Sequence, residues 1–135
     1  MTGDLAAITS YLLRASKYCN SAVVLVEAED YESSVSRSYY AMFFAAEAAL
    51  LSKGLTQSTH KGVHRLFGEH FLITGIFPTS MGKDLSRAFG KRQLGDYDSE
   101  LSITRDEAQQ LCKTSAAFIQ TIRDYLQEHG FFVPV

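Results

Sequence analysis

The stretch SRSYYAMFFAAEAALLSKG, residues 36–54, decides the fold because it reads as a helix with no face suited to water. One stripe at helical spacing is mainly large and apolar, and it comprises Val35, Tyr39, Met42, Phe43, Ala46 and Leu50. A second stripe of small residues would let a neighbouring helix approach closely, and it comprises Ser34, Ser38, Ala41, Ala45, Ala48 and Ser52. The pattern therefore predicts a helix that lies either at the centre of a bundle or in a subunit interface.

Two charged residues, Arg37 and Glu47, lie on the remaining face of this helix among aromatic and apolar neighbours. Because a buried charge is costly unless it is paired, each of them is expected to have a partner. We expect them to reach each other's copy across a homodimer, or Arg37 to pair with a neighbouring helix.

The rest of the chain shows apolar spacings of three and four residues, which predict further helices and no persistent strand. The predicted helix starts and stops, in chain order, are Thr2 or Asp4, Gly54, Ser58 or Thr59, Gly75, Gly95, Thr104 and Gly130. Helices joined by short connections usually pack antiparallel to their neighbours. The sequence therefore predicts one all-α domain over residues 1–135, an up-and-down antiparallel bundle of about five helices.

Length and composition argue against a multidomain, disulfide-rich, membrane-spanning or secreted protein. Of the 135 residues, 46% are hydrophobic and 21% are charged, which is typical of one globular domain. Cys19 and Cys112 are too few for a disulfide framework. No apolar run is long enough to span a membrane, and the first ten residues do not resemble a signal peptide. These features predict a cytoplasmic protein with no membrane contact.

The formal net charge of −2 predicts no general affinity for nucleic acid, so any such contact needs a local cluster of cations. Antiparallel packing would bring the end of the second and fourth helices to the start of the third and fifth. That end would carry Lys53, His60, Lys61, His64, Arg65, Lys91, Arg92, Asp96, Tyr97 and Arg105. Such a basic pole could attract phosphate or RNA, and the alternative is that these residues are only solvated helix ends.

The pattern of potential ligands predicts neither a metal nor a cofactor. His60 and His64 are four residues apart, as two ligands on one helical face would be, but no third ligand is in register. The chain has no phosphate-binding glycine loop, nucleophile elbow or dinucleotide fingerprint.

Three segments together resemble the successive helices of the HEPN domain. They are SRSYYAMFFAAEAALLSKG (36–54), STHKGVHRLFGEHF (58–71) and AFGKRQLGDYD (88–98). The similarity covers nearly the whole chain and is closest to the small stand-alone prokaryotic members. The resemblance implies a helical bundle, commonly a homodimer, in a family that includes metal-independent ribonucleases and toxins. It also implies, as a partner, a minimal nucleotidyltransferase that acts as antitoxin.

The family's ribonuclease signature is an arginine followed after four to six residues by a histidine, near the end of the fourth helix. Arg92 stands in the arginine's place, and Tyr97 stands where the histidine is expected. Tyrosine, with a pKa of about 10, is a poorer base near neutrality than histidine at about 6.5. His60 is the candidate for supplying the missing imidazole, although a residue that starts a helix can also serve only to cap or pack.

The stretch KRQLGDYDSE, residues 91–100, is therefore predicted to be a site at a helix end, with the Arg92 side chain exposed. The predicted catalytic residues are Arg92, Tyr97 and His60, and the predicted binding residues are Asp96, Lys61, Arg65 and Lys91. The first hypothesis is an RNA-directed HEPN toxin or metal-independent ribonuclease with a degenerate motif. The alternative is a non-catalytic HEPN module that binds a nucleotidyltransferase partner, a nucleotide or RNA.

Overall fold

A computed structural model describes residues 4–97, except the side chain of Tyr97, and residues 102–131. Five α-helices and no strand occupy these residues: α1 (Leu5–Glu27), α2 (Tyr31–Ser52), α3 (His60–Phe67), α4 (Ser80–Tyr97) and α5 (Arg105–Glu128). A π-helical turn, Gly68–Leu72, continues α3. The predicted all-α bundle is confirmed. None of the described helices combines the length and the apolar character needed to cross a membrane.

Polar side chains and glycines set the helix ends, much as the sequence predicts. Asp4 caps α1 by accepting from the Ala6 amide at 3.0 Å, and Thr59 and Thr104 cap α3 and α5. Glycines with positive φ follow two of the helices, Gly54 after α2 and Gly130 after α5. The predicted cap Thr2 lies outside the described residues.

Helix α2 is central, which is one of the two places that its sequence allows. Its large residues Tyr39 and Met42 and its small residues Ser34 and Ser38 are all fully buried within the single chain. The Ser34 hydroxyl donates to the Ala22 carbonyl of α1 at 2.8 Å, a close approach that a small side chain permits. The apolar surface of α2 is therefore covered without a second subunit.

Helix α4 does not end at Gly95 but continues to Tyr97, so the prediction of a helix break there is wrong. A Cβ at Gly95 would lie 3.3 Å from the Glu32 Cβ and 3.4 Å from the Glu32 carbonyl oxygen. The glycine thus lets the end of α4 lie against the first turn of α2. Residues 91–97 of the predicted site are helical rather than a loop, and residues 98–100 lie outside the described part.

Helix α3 runs in the same direction as α2, contrary to the antiparallel expectation. Its first residue, His60, stacks on Phe43 with ring centres 4.4 Å apart. Further along the chain, within the π-helical turn that continues α3, the His70 carbonyl accepts a hydrogen bond from the Lys53 ammonium at 3.2 Å. Lys53 therefore lies far from His60, and the prediction that both share one pole is wrong.

The connection after α2 makes this direction possible. Residues 53–59 separate the two helices, and seven extended residues can reach about 23 Å. The return from Ser52 to the level of Phe43 needs only about 14 Å along the helix axis. The ends of α4 and α5 that carry Lys91 and Arg105 instead meet the start of α2, where Arg105 Nη1 donates to the Tyr31 hydroxyl at 3.4 Å.

Candidate functional site

Arg92 lies in the last turns of α4 and is held from two sides. Its Nε lies 3.0 Å from Oδ2 of Asp96, one turn further along the helix, and its Cζ lies 5.2 Å from the centre of the Tyr40 ring. The Nε–H does not point at the carboxylate, so this ion pair lacks hydrogen-bond geometry. Only 20% of the Arg92 side chain is exposed, which contradicts the expected exposed arginine. Its rotation is restricted because the ring and the carboxylate both hold it.

The predicted catalytic residue His60 belongs to a network of two histidines and one buried tyrosine. The Tyr39 hydroxyl oxygen lies 2.7 Å from His60 Nδ1 and 3.0 Å from His64 Nε2. A hydroxyl has one hydrogen, so it donates to one ring and accepts an N–H from the other. Both hydrogen bonds can therefore form when the two imidazoles are neutral. Nε2 of His60 takes part in neither of them.

Burial keeps both imidazoles of this network neutral. It lowers the pKa of His60, and the nearby positive charge of Arg92 lowers it further. Burial and the neighbouring His60 lower the pKa of His64 to about 4. A neutral imidazole at pH 7 can accept a proton but cannot donate one as an imidazolium.

The ring of Tyr40 joins His60 to Arg92. Its centre lies 5.8 Å from the centre of the His60 ring and 5.2 Å from Cζ of Arg92. The structure thus brings together two of the three residues predicted to be catalytic, one cation and one neutral base. The side chain of the third, Tyr97, lies outside the described part.

Most of the predicted binding residues have other partners or stand apart. Lys91 forms an ion pair with Glu107 of α5, and this contact lowers the Glu107 pKa. Arg65 pairs with Glu69 at 3.1 Å on an exposed face of α3. Lys61 is exposed. Lys91 and Arg65 are therefore paired with carboxylates, and Lys61 forms no ion pair among the described residues.

A cleft between α1, α2 and the end of α4 holds the charged and aromatic residues that the sequence analysis did not bring together. Its volume is 560 Å³. We call it the α1–α2 cleft, and its principal lining residues are Arg14, Tyr18, Glu32, Arg37, Tyr40 and Phe44. Asp96, the partner of Arg92, also lines it. The cleft is therefore continuous with the surroundings of Arg92.

Two arginines of the cleft lie over aromatic rings. Cζ of Arg14 is 4.1 Å from the centre of the Phe44 ring, and Cζ of Arg37 is 4.6 Å from that of Tyr18. The two rings meet edge to face at 5.3 Å. Such cation–π contacts orient a guanidinium without neutralising it. Within residues 4–97 and 102–131, neither arginine forms an ion pair with a carboxylate.

Arg37 and Glu47, expected to need partners on a buried face, have different surroundings. Arg37 is exposed at the mouth of the cleft. Glu47 is partly buried, and burial raises its pKa, while a hydrogen bond from Tyr11 and the charge of Arg14 act in the opposite direction. Both residues thus have contacts on α1 within one chain.

A spacing in the sequence could have revealed the cleft. Tyr11, Arg14 and Tyr18 follow one another at intervals of three and four residues on α1, and so do Arg37, Tyr40 and Phe44 on α2. Each set therefore forms a stripe on one face of its helix. Two stripes that each combine aromatic residues with an arginine would be expected to face each other.

Comparisons with known proteins agree with this fold. The HEPN domain family model matches residues 8–125. A UPF0332 protein of Gloeobacter violaceus is 37% identical over 116 residues, which are 85% of this chain and 92% of the relative. A Methanocaldococcus jannaschii protein named "Putative toxin" is 31% identical over 113 residues, 84% of this chain and 77% of its own. A UPF0332 protein of Thermotoga maritima is 31% identical over 122 residues, 90% and 92% of the two chains. The chain belongs to the HEPN domain family.

Proposed function

We propose that this protein is the toxin-like HEPN component of a toxin–antitoxin-like system and that its target is RNA. The observation that carries the proposal is that Arg92 and neutral His60 both contact the Tyr40 ring. A cation and a base so placed fit a phosphate and a neighbouring hydroxyl. Support also comes from the Methanocaldococcus jannaschii relative, whose name contains the word toxin.

The proposed reaction is cleavage of RNA without a metal. His60 takes the proton of a 2′-hydroxyl, whose oxygen attacks the adjacent phosphorus, and Tyr97 gives a proton to the departing 5′-oxygen. Arg92 stabilises the negative charge that develops on the phosphoryl oxygens. A neutral His60 suits the first step because only an unprotonated imidazole can accept the proton.

Substitution of Arg92 tests this proposal. We expect Arg92→Ala to lower the rate of RNA cleavage about 100-fold, as loss of a charge-stabilising donor does. Arg87→Ala is the matched control, since Arg87 lies on the same helix and its side chain is 65% exposed. Cleavage of a labelled RNA by the purified chain measures both. Equal rates for the two variants would contradict a role for Arg92 in cleavage.

The second candidate is a HEPN module that binds RNA, a nucleotide or a protein partner without cleaving RNA. It is favoured by Tyr97, because a tyrosine replaces the imidazole at the motif position. In this case wild-type protein binds RNA but releases no product, and Tyr97→His creates cleavage by supplying a group that titrates near neutrality. Protein that neither binds nor cleaves RNA would overturn the RNA target itself.

We also propose a homodimer and a minimal nucleotidyltransferase as partners. The described part of α2 is covered within one chain, so a dimer would have to use other surfaces. Sedimentation at tens of micromolar tests the homodimer, and a single monomeric species would contradict it. Co-purification with a nucleotidyltransferase expressed from a neighbouring gene tests the second partner.

A further inference from the structure

The hydroxyl of Tyr39 and the ring of His64 are buried polar groups to which the proposed reaction assigns no role. Oη of Tyr39 lies 2.7 Å from Nδ1 of His60 and 3.0 Å from Nε2 of His64. Burial raises the pKa of Tyr39, so its hydroxyl keeps its single hydrogen. That hydrogen can be donated to only one ring, and the other ring must donate its own N–H to the oxygen. The position of the proton in one ring is therefore tied to its position in the other.

Only two arrangements of the hydrogens satisfy both contacts when the rings are neutral. In the first, Tyr39 donates to His64 and accepts from His60, so both rings carry their hydrogen on Nδ1. In the second, Tyr39 donates to His60 and accepts from His64, so both rings carry their hydrogen on Nε2. The first arrangement leaves the lone pair of His60 on Nε2, whereas the second puts a hydrogen there. Only the first lets His60 take a proton at Nε2.

The charge of Arg92 favours the first arrangement. Burial lowers the pKa of His60 and the charge of Arg92 lowers it further, whereas burial and the neighbouring His60 lower the pKa of His64. Arg92 therefore acts more strongly on His60 than on His64. A nearby cation strengthens a ring N–H as a donor and weakens a ring nitrogen as an acceptor. His60 is thus the better donor to the Tyr39 oxygen, and His64 is the better acceptor of its hydrogen.

The remaining nitrogen of His60, Nε2, is accessible. The ring stacks on Phe43 with centres 4.4 Å apart and on Phe89 with centres 5.7 Å apart, and these contacts restrict its plane. Nε2 forms no hydrogen bond with a described residue, and it is not one of their buried unpaired atoms, which belong to Glu32 and Arg92. It is therefore open to solvent, and the hydroxyl of a substrate can reach it.

We propose that Tyr39 and His64 are positioning residues, which hold His60 with its hydrogen on Nδ1 and its lone pair on Nε2. His64 acts through Tyr39, because it accepts the hydroxyl hydrogen and so leaves the oxygen to accept from His60. When the proton of the 2′-hydroxyl moves to Nε2, the Nδ1 hydrogen stays between His60 and Tyr39 and stabilises the imidazolium that forms. This inference rests on the proposed function, since it explains how His60 is held as the base of that reaction.

Nitrogen NMR of the isotope-labelled full chain tests the tautomer, because protonated and unprotonated ring nitrogens differ in chemical shift. We expect hydrogen on Nδ1 of both His60 and His64 near neutral pH. His64→Leu removes the acceptor, so the Tyr39 hydrogen should turn to Nδ1 of His60 and the hydrogen of that ring should move to Nε2. His64→Gln keeps an acceptor, its amide oxygen, and should leave His60 unchanged. Hydrogen on Nε2 of His60 in the wild type overturns the proposal.

RNA cleavage is the second readout. We expect His64→Leu to lower the rate about 100-fold, the lower end of what a general base contributes, and His64→Gln to restore most of it. Tyr39→Phe combined with His64→Leu should be no slower than either single variant, because residues that act as a unit are not additive. His129→Leu is the matched control, since His129 is exposed and its ring contacts the Tyr125 carbonyl instead.

The two readouts together separate positioning from a structural role. A rate that falls in His64→Leu while the His60 tautomer stays unchanged overturns the positioning role, and so does an unchanged rate with a changed tautomer. Wild type that shows the expected tautomer but cleaves no RNA would refute the proposed reaction, while the hold of Tyr39 and His64 on His60 would stand. Circular dichroism of each variant checks that it is folded.

Discussion

At the scale of single residues, the buried hydroxyl of Tyr39 links two histidines that burial keeps neutral. It contacts both His60 and His64, and the Tyr39 side chain has no solvent exposure. Because the hydroxyl can both donate and accept, two neutral rings satisfy it and two charged rings would not. The tyrosine is therefore compatible with the neutral form of His60, which burial and the charge of Arg92 favour and which the proposed reaction uses.

This network makes stability depend on pH. The folded pKa of His64 is about 4, below the value of about 6.5 for an unfolded histidine. The unfolded chain thus binds more protons between these values, and the free energy of unfolding falls as pH drops from about 6.5 toward 4. We expect a loss of about 2 kcal/mol over this range, less than the roughly 3 kcal/mol of a fully buried group because His64 is half-buried and solvent screens its charge, measured by urea unfolding.

His64→Gln should flatten this dependence, because it removes the group whose pKa is displaced. His129→Gln is the control, since His129 is exposed at the end of α5. An unchanged pH profile in His64→Gln would show that His64 titrates alike in the folded and unfolded chains.

The sequence predicted only part of the candidate site. Arg92 and Asp96 are one helical turn apart, so their contact is local and follows from spacing alone. Arg14 and Glu32 were missed because they come from different helices, and their meeting depends on how α1 packs on α2. Spacing gives the face on which a residue lies, but not the face of another helix that covers it.

At the scale of the elements, the helices were predictable and one of their ends was not. Caps such as Thr104 act within four residues, so sequence reveals them. Gly95 looks in the sequence like a glycine that ends a helix. In the structure it lies within α4, where the lack of a side chain leaves room for Glu32. The direction of α3 was also missed, because connection length limits the path of the chain without choosing it.

Alanine substitutions at two glycines of α4 test the explanation for Gly95. A Cβ at Gly90 would meet nothing within 4 Å, whereas a Cβ at Gly95 would crowd Glu32 at 3.3 Å. We expect Gly90→Ala to raise the free energy of unfolding by about 0.5–1 kcal/mol, the usual gain in a helix. Gly95→Ala should fall short of that gain by about 1 kcal/mol, since the new methyl displaces α2. Equal gains in thermal or urea unfolding would refute the close approach.

At the scale of the whole molecule, the position of charge matters more than its total. The formal net charge is −2, but Arg14, Arg37 and Arg92 all contact aromatic rings in or beside one cleft. Other cations, such as Arg65 and Lys91, are paired with carboxylates. A negative protein can thus present one local surface of opposite sign to a phosphate chain.

This arrangement predicts a modest dependence of RNA binding on salt. Three arginines that contact phosphates of a single strand give a slope of about −2 in a plot of log K against log salt concentration. Arg37→Ala should reduce the magnitude of that slope by about 0.7, while Arg87→Ala should leave it unchanged. The measurement is a series of binding titrations between 50 and 200 mM salt, roughly the range over which such slopes are resolved. A slope near zero would exclude phosphate contacts by these residues.

Residues 53–59, which connect α2 to α3, limit where His60 can lie along α2. This segment spans the distance between the end of α2 and the level at which His60 meets Phe43 and Tyr39. Its length therefore limits how far back along α2 the imidazole can lie. A homologue whose segment were too short to reach about 14 Å would have to start α3 nearer to Ser52, and its histidine would face a different part of α2. The number of residues between α2 and α3 in a relative therefore indicates whether its histidine can reach the same part of α2.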